Sequence, residues 1–318
     1  MEEAIFKVEI ITPTIMGGAN SGKLDSIFIR PTEIKSTMRQ AFRLVAGKYV
    51  EHNKKGIEKL YELESEVFGN TQGKGKFRLI VDVPTNLRTE KIKLLPHKSD
   101  FSKFAILPNK TFNLKIISYK YPVEFYKALL NIAFLLGVGH RRNRLFGNMQ
   151  IEQFEWKDEI QKIDRFFIAK RLKEIKTNNP SFACFSKRED DKENFIIDDM
   201  LLKDEFIPIK KQNNFDRKNF ENFEFDKQNF EKALENLYGK VIHGIKEKKL
   251  DFILGGARPR QASFVNFSIL KFNQNYRLFV MGFYYKNEKF KYNDWKNAIE
   301  EVKKLTKETF EKRGLKDG

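Results

Sequence analysis

Residues 122–151 read PVEFYKALLNIAFLLGVGHRRNRLFGNMQI. Pro122 is placed to open a helix, because a proline at the first helical position loses no hydrogen bond that the helix needs. Phe125, Leu129, Ile132, Ala133 and Leu136 then share one face at helical spacing. Gly137 is placed to stop that helix. After a basic loop, Met149 and Ile151 mark the start of a strand.

The elements on either side extend this helix–strand pair. Phe112, Leu114 and Ile116 alternate and predict a strand just before the helix. Phe77, Leu79, Val81 and Val83 predict another, ended by Pro84. Residues 85–108, with Pro84, Pro96 and Pro108 nearby, read as an irregular insertion. A helix should begin near Thr32, after Pro31, with Ile34, Met38, Ala41, Phe42, Val45 and Tyr49 on one stripe. Phe6, Val8 and Ile10 predict a first, half-buried strand. The order β-α-β-β-α-β is that of a ferredoxin-like domain, with two helices on one face of a four-stranded antiparallel sheet.

The second half is less regular. Ile163, Phe166, Phe167 and Ile168 suggest a strand, and residues 171–214 are polar with short apolar breaks. Phe220, Phe223, Phe230, Leu234, Leu237, Val241 and Ile245 predict a long amphipathic helix. Strands follow from Phe264 to Phe272 and from Tyr276 to Tyr285, joined by Asn273-Gln274-Asn275. A helix from about Trp295 to Lys312 comes last. The fold class is therefore α+β, with two ferredoxin-like domains at 1–155 and 156–318. The second is degenerate and carries a helical insertion at about 171–250.

The chain has 318 residues, and 60 Lys+Arg against 43 Asp+Glu leave a net charge of +17. A field of that sign favours polyanions, although a generic basic surface has the same composition. One cysteine, Cys184, excludes an internal disulfide framework and a cysteine-rich zinc site. The start, MEEAIFKVEI, lacks the apolar run of a secretory signal. The longest apolar stretch, Ile132 to Val138, is far short of the ~20 residues a membrane helix needs. A cytoplasmic protein with no membrane partner is expected.

Three segments carry possible binding chemistry. Residues 137–147, GVGHRRNRLFG, combine glycines with Arg141, Arg142, Arg144 and His140 and contain no acid. Glycines allow close backbone approach to a phosphate, successive N–H groups can cradle an anion, and guanidinium groups add bidentate donors. The competing reading is an ordinary glycine-punctuated connection with solvated arginines. The spacing is neither a Walker A loop nor a dinucleotide fingerprint. Lys35, Arg39 and Arg43 form a basic row on the first helix, behind a loop containing Gly17 and Gly18; a merely solvated helix face would look the same. Gly255-Gly-Ala-Arg258-Pro-Arg260-Gln261 leads into a late strand, in a region with four Lys/Arg and no acid from Ile253 to Val280. The aromatic octapeptide of RNA-recognition sheets is missing, so RNA contact should run through loops and the sugar–phosphate chain.

Catalytic patterns are poor. His52, His97, His140 and His243 show no metal-ligand spacing, and no metal or cofactor is expected. His140 could act as acid or base in RNA cleavage, and Asp25 could act from a basic loop. A phosphate-donor role for His140 and a solvated Asp25 are the plainer readings.

Ile11-Thr-Pro-Thr-Ile-Met-Gly-Gly-Ala19 followed by Ile29-Arg-Pro-Thr-Glu-Ile-Lys-Ser-Thr-Met-Arg-Gln-Ala-Phe-Arg43 resembles the opening of the RAMP proteins of CRISPR effector complexes. The likeness is strongest to the first-numbered subunits of the type III-B Cmr complex. Glu66-Val-Phe-Gly69, the 137–147 loop and Gly256-Ala-Arg-Pro-Arg-Gln-Ala-Ser263 resemble further family segments in the same order. Thr37 stands where the family usually has glycine, and Gln40 and Ala41 replace part of its apolar run. The resemblance implies two ferredoxin-like domains in a ribonucleoprotein with guide (CRISPR) RNA, target RNA and other RAMP subunits as partners. It implies a non-catalytic subunit holding target RNA and the guide–target duplex near the guide 3′ end. The alternative is a metal-independent endoribonuclease that processes guide RNA. The RNA-facing residues it implies are Gly17, Gly18, Arg30, Lys35, Arg39, Arg43, Gly137, Gly139, His140, Arg141, Arg142, Arg144, Arg258, Arg260 and Gln261.

Overall fold

The computed structural model describes residues 1–16, 29–46, 54–82, 84, 87–96, 101–156, 159–162, 207–208, 227–254, 256–257, 260–261, 263, 265–272, 275–282 and 292–311. In the first half β1 (Glu2–Ile10), α1 (Pro31–Ala46), β2 (Phe77–Asp82), β5 (Lys110–Ser118), α3 (Val123–Leu136) and β6 (Met149–Trp156) follow the expected β-α-β-β-α-β order. Added to it are α2 (Lys54–Phe68), the hairpin β3 (Thr89–Lys93) and β4 (Ser102–Ile106), and β7 (Glu159–Lys162). The sheet order is β2-β5-β1-β6-β7, with every neighbouring pair antiparallel. Ala4, Phe6, Val8 and Ile10 of β1 are buried against the helices, as alternation requires. A register shift after Lys7 lets β6 carry one extra residue, Glu152, whose carboxylate pairs with Lys7 at 3.3 Å.

Two expectations for this half need correction. Residues 85–108 are not simply irregular: they contain the β3–β4 hairpin, paired from Thr89↔Ile106 to Lys93↔Ser102. Helix α2 went unforeseen because an acid, Glu64, sits on its buried face and interrupts the apolar stripe of Leu60, Leu63 and Val67. An aromatic chain then ties the layers together. Phe125 meets Phe42 at 6.4 Å, Phe42 meets Phe68 at 5.8 Å, Phe68 meets Phe77 at 5.5 Å and Phe77 meets Tyr126 at 4.5 Å between ring centroids.

The second half has α4 (Lys227–Asn236), a π-helical stretch (Leu237–Ile242), α5 (His243–Glu247) and a 3-10 turn (Asp251–Leu254). The foreseen long helix is thus continuous from Lys227 to Glu247 but loosens to π geometry midway. Next come the short pair β9 (Gly256–Ala257) and β10 (Arg260–Gln261), the hairpin β11 (Val265–Phe272) and β12 (Asn275–Gly282), and α6 (Tyr292–Glu311). A two-residue strand, β8 (Ile207–Pro208), joins the second sheet in the order β11-β12-β8. The strand expected at 163–168 and the start of the helix expected from Phe220 lie outside the described residues.

Two cores form, but they do not divide the chain cleanly. The second core gathers Phe230, Leu237, Val241, Val265, Phe267, Leu278 and Ile299. It also takes Ile11, Ile15, Ile92, Leu94, Leu145 and Phe146 from the first half. The β3–β4 hairpin and the end of the 137–147 loop are therefore built into the second core. Phe146 packs edge-on against Phe230 with centroids 4.8 Å apart.

Candidate nucleic-acid interface

The 137–147 loop sits where both halves meet. Gly137 ends α3 with φ 84, and Gly139, Arg141, Leu145 and Gly147 also have positive φ (90, 57, 72 and 74). Positive φ is costly for a branched, bulky residue such as Leu145, so such a loop persists only where its surroundings fix it. They do. His140 N donates to Ile15 O at 2.8 Å, Gly147 N to Pro13 O at 3.0 Å and Leu145 N to Phe267 O at 3.1 Å. Within the loop Val138 N donates to Gly147 O at 2.8 Å, and Arg144 N to Arg141 O at 2.9 Å.

Two glycines are required by this docking. A Cβ on Gly139 would lie 2.3 Å from Ile15 O, and one on Gly147 would lie 2.0 Å from Val138 O. The close approach that glycine permits is thus made to the protein's own backbone. This corrects the expectation that the loop's amides stand as an open phosphate cradle: several are spent internally.

The arginines divide in the same way. Arg144 is partly buried and donates to Leu254 O at 3.1 Å and Asn143 O at 2.8 Å. Burial pushes its guanidinium down from the ordinary value, with Tyr238 acting in the opposite sense. Arg141 donates to Leu94 O at 3.2 Å and to the Tyr238 hydroxyl at 2.9 Å. Arg142 reaches back to α1, 3.4 Å from Thr37 Oγ1. His140 is exposed at the loop tip. The picture of three solvated arginines therefore gives way to two struts, Arg141 and Arg144, beside a partly exposed Arg142.

The basic row on α1 is similarly committed. Arg39 Nη1 meets Glu64 Oε1 at 2.8 Å, and Arg39 Nη2 donates to Gly69 O at 2.5 Å. Arg43 Nε bonds Glu64 Oε2, and its Nη2 lies 2.9 Å from Oε1. Burial alone would push the Glu64 carboxyl up, but the hydrogen bonds and charges of Arg43 and Arg39 outweigh it and hold the group below the usual carboxylate range. Arg39 and Arg43 thus face an acid on α2 of their own chain, which the expectation of an RNA-facing row did not include. Lys35 keeps its ammonium 5.2 Å from the Phe77 ring centre, and burial followed by the charge of Arg39 lowers its pKa. Arg30 stands at the α1 N-terminus, where its carbonyl accepts Glu33 N at 3.1 Å and its own N–H points at Met16 Sδ, 3.2 Å away.

Gly17, Gly18 and Arg258 lie outside the described residues, and Arg260 and Gln261 are described only as strand β10, pairing with Ala257 and Gly256. Loop 137–147 and α1 are brought together by the Arg142–Thr37 contact. Sequence reasoning missed Glu64, Tyr238 and Leu254, which share no motif with the arginines they hold. His52 and His97 also lie outside the described residues, and His243 pairs with Glu247 at 3.3 Å on α5. Among the described residues no cluster of His, Cys, Asp and Glu could hold a metal ion. No described helix is long and apolar enough to cross a membrane.

The RAMP superfamily model matches residues 7–150, the stretch that carries β1 through β6 and the glycine loop. Over this region the chain is similar to the RAMP superfamily. Within that class it is similar to Cmr1. The Cmr subunit Cmr1-2 of the Pyrococcus furiosus CRISPR system is 40% identical over 76 residues, covering 24% of this chain and 37% of that relative. The crystal structure of apo Cmr1 from Pyrococcus furiosus aligns over 96% of this chain and 97% of its own, with TM-score 0.55 and 15% identity. A chain of the type III-B Cmr-beta complex bound to cognate target RNA aligns over 96% and 99%, with TM-score 0.53 and 14% identity. At those identities the structural likeness concerns the fold.

Proposed function

We propose that the chain is a non-catalytic RNA-binding subunit of a type III-B Cmr ribonucleoprotein, built from two ferredoxin-like domains. It would contact target RNA and the guide–target duplex near the guide 3′ end. The supporting observation is the joint one: a RAMP match through the glycine loop, and a fold shared almost end to end with Cmr1 and with a chain of a target-RNA complex. The net charge of +17 suits a polyanionic ligand.

The internal bonds of the site refine the roles. Arg39, Arg43, Arg141 and Arg144 hold the frame, together with Gly137 and Gly139. Arg30, Lys35, His140 and Arg142 remain candidates for RNA contact, with Gly17, Gly18, Arg258, Arg260 and Gln261. Binding of single-stranded and guide-paired RNA is measured against salt. Affinity falls steeply with rising salt, because phosphate neutralisation releases counterions. Affinity independent of salt overturns the reading. A discrete cut of repeat RNA in EDTA, abolished by His140→Ala, replaces it with the endoribonuclease.

A further inference from the structure

We propose that Phe101, backed by Arg141, is a stacking platform for one unpaired RNA base; this rests on the RNA-binding reading above and names a contact within it. Phe101 closes the tip end of the β3–β4 hairpin, where its carbonyl accepts Leu94 N at 2.9 Å just beyond the Lys93↔Ser102 pair. Its side chain is an exposed large apolar group at 45%, although it lies beside the second core that takes up Ile92 and Leu94.

A single exposed aromatic is ordinary on a protein surface. What distinguishes this one is its support. The guanidinium carbon of Arg141 lies 5.4 Å from the ring centre. That guanidinium is held by Leu94 O at 3.2 Å and by the Tyr238 hydroxyl at 2.9 Å, on a backbone fixed at φ 57. The cation is therefore placed before any ligand arrives. A base laid on the remaining ring surface gains stacking, and its phosphate finds a positive charge nearby.

The surroundings favour a nucleic acid over a protein knob. The exposed His140 is next to Arg141 in the loop. Alternation puts Phe101, paired with Leu94, on the hairpin face of Ile92 and Lys103, and Lys91 and Lys93 on the opposite face. The hairpin's described acid, Glu90, shares the Phe101 face but lies at its far end, where it is tied to Lys227 at 3.1 Å. Stacking of this kind tolerates any base, in keeping with a subunit that leaves sequence reading to guide pairing.

The full chain is titrated with a single-stranded RNA in which one nucleotide at a time is abasic. At one position the missing base weakens wild-type binding about five- to a hundredfold, the size of one base–aromatic stack. In Phe101→Leu, which keeps apolar bulk without a ring, that position loses its effect; Phe101→Trp restores it. If the wild type binds RNA and the abasic scan is the same in Phe101→Leu, the platform is wrong while the RNA-binding reading survives. If the wild type binds no RNA even at low salt, the broader reading fails and takes the platform with it. If Phe101→Leu leaves RNA affinity untouched but releases a co-purifying subunit, the ring docks protein and the proposal is overturned.

Discussion

The side-chain oxygen of Asn148 accepts the backbone N–H of Ile269 at 2.9 Å. Its amide nitrogen donates to Leu135 O at 3.1 Å, so one fully buried side chain joins the first sheet, the end of α3 and the second sheet. Two residues on, Gln150 repeats the motif, exchanging both amide bonds with the backbone of Lys271 at 3.2 Å each. Strands β6 and β11 belong to different sheets. Side-chain amides supply the backbone pairing that the sheets do not. The last carbonyls of a helix lack partners within it. Here Leu136 O is met by Asn266 Nδ2 at 2.9 Å, and Leu135 O also by Ser268 Oγ.

Asn148→Ala leaves the buried N–H of Ile269 without its partner, while Leu135 O keeps the Ser268 hydroxyl. The expected cost is about 2–3 kcal/mol, because buried polar groups left unsatisfied keep their full desolvation penalty. Urea denaturation checks this, and limited proteolysis reports whether the second half opens first. An unchanged midpoint would mean that packing alone joins the halves.

Glu64 is the pivot of α1 and α2, at 2% side-chain exposure. Its two partners are unequal: Arg39 is 28% exposed and Arg43 57%. Arg39→Ala is therefore expected to cost about 3 kcal/mol, as removal of one member of a buried pair does, and Arg43→Ala about 1 kcal/mol. The pH dependence has a definite sign. The folded-state pKa of Glu64 is depressed, so its contribution is present above the unfolded carboxylate value and is lost as pH falls through the lower folded value. Thermal melts of wild type and Glu64→Gln between neutral and acidic pH should converge as the medium becomes acidic. Parallel curves would show that the charge is not what holds the two helices.

The backbone makes opposite predictions at two positive-φ sites. Gly139→Ala places a methyl 2.3 Å from Ile15 O at φ 90. Nothing soft can yield there, so the variant loses several kcal/mol or fails to fold. Lys249, at φ 57, caps α5 with Lys249 N to Lys246 O at 2.9 Å and Leu250 N to Ile245 O at 3.0 Å. Glycine is the natural residue for that cap. Lys249→Gly is expected to stabilise by about 0.5–1 kcal/mol, seen as a higher melting temperature. A lower one would mean that the lysine side chain contributes more than its backbone strain costs.

Much of the frame was legible because periodicity survives wherever one face is buried. Strand β1 and helices α1 and α3 announce themselves through Phe6, Val8, Ile34, Met38, Phe125 and Leu129. Helix α2 did not, because Glu64 occupies a core position that pattern reading assigns to solvent. Hairpin β3–β4 hid among prolines, in short strands that bury only Ile92, Ala105 and Ile106. The binding residues were harder still. Composition places arginines in a loop, but Glu64 and Tyr238 lie 21 and 97 residues from the arginines they hold. Only tertiary contact separates a strut from a ligand donor.

That separation can be measured on neighbouring arginines of the same loop. Arg144 donates to Leu254 O and stacks 5.9 Å from the centre of the Phe267 ring, tying the loop to the second half. Arg144→Ala removes those bonds and leaves the carbonyl of half-buried Leu254 unmet. It should lower the melting temperature, at a cost of about 2 kcal/mol, and weaken RNA binding only as far as the fold loosens. Arg142 lies on the α1 side of the loop, 3.4 Å from Thr37 Oγ1. Arg142→Ala should lower the melting temperature less than Arg144→Ala does. It should weaken RNA binding evenly across sequences and reduce the salt slope by about one, the signature of one lost phosphate contact. If instead Arg144→Ala changes the salt slope with stability intact, the two roles are exchanged. The partly buried guanidinium would then be one that RNA draws out of the seam.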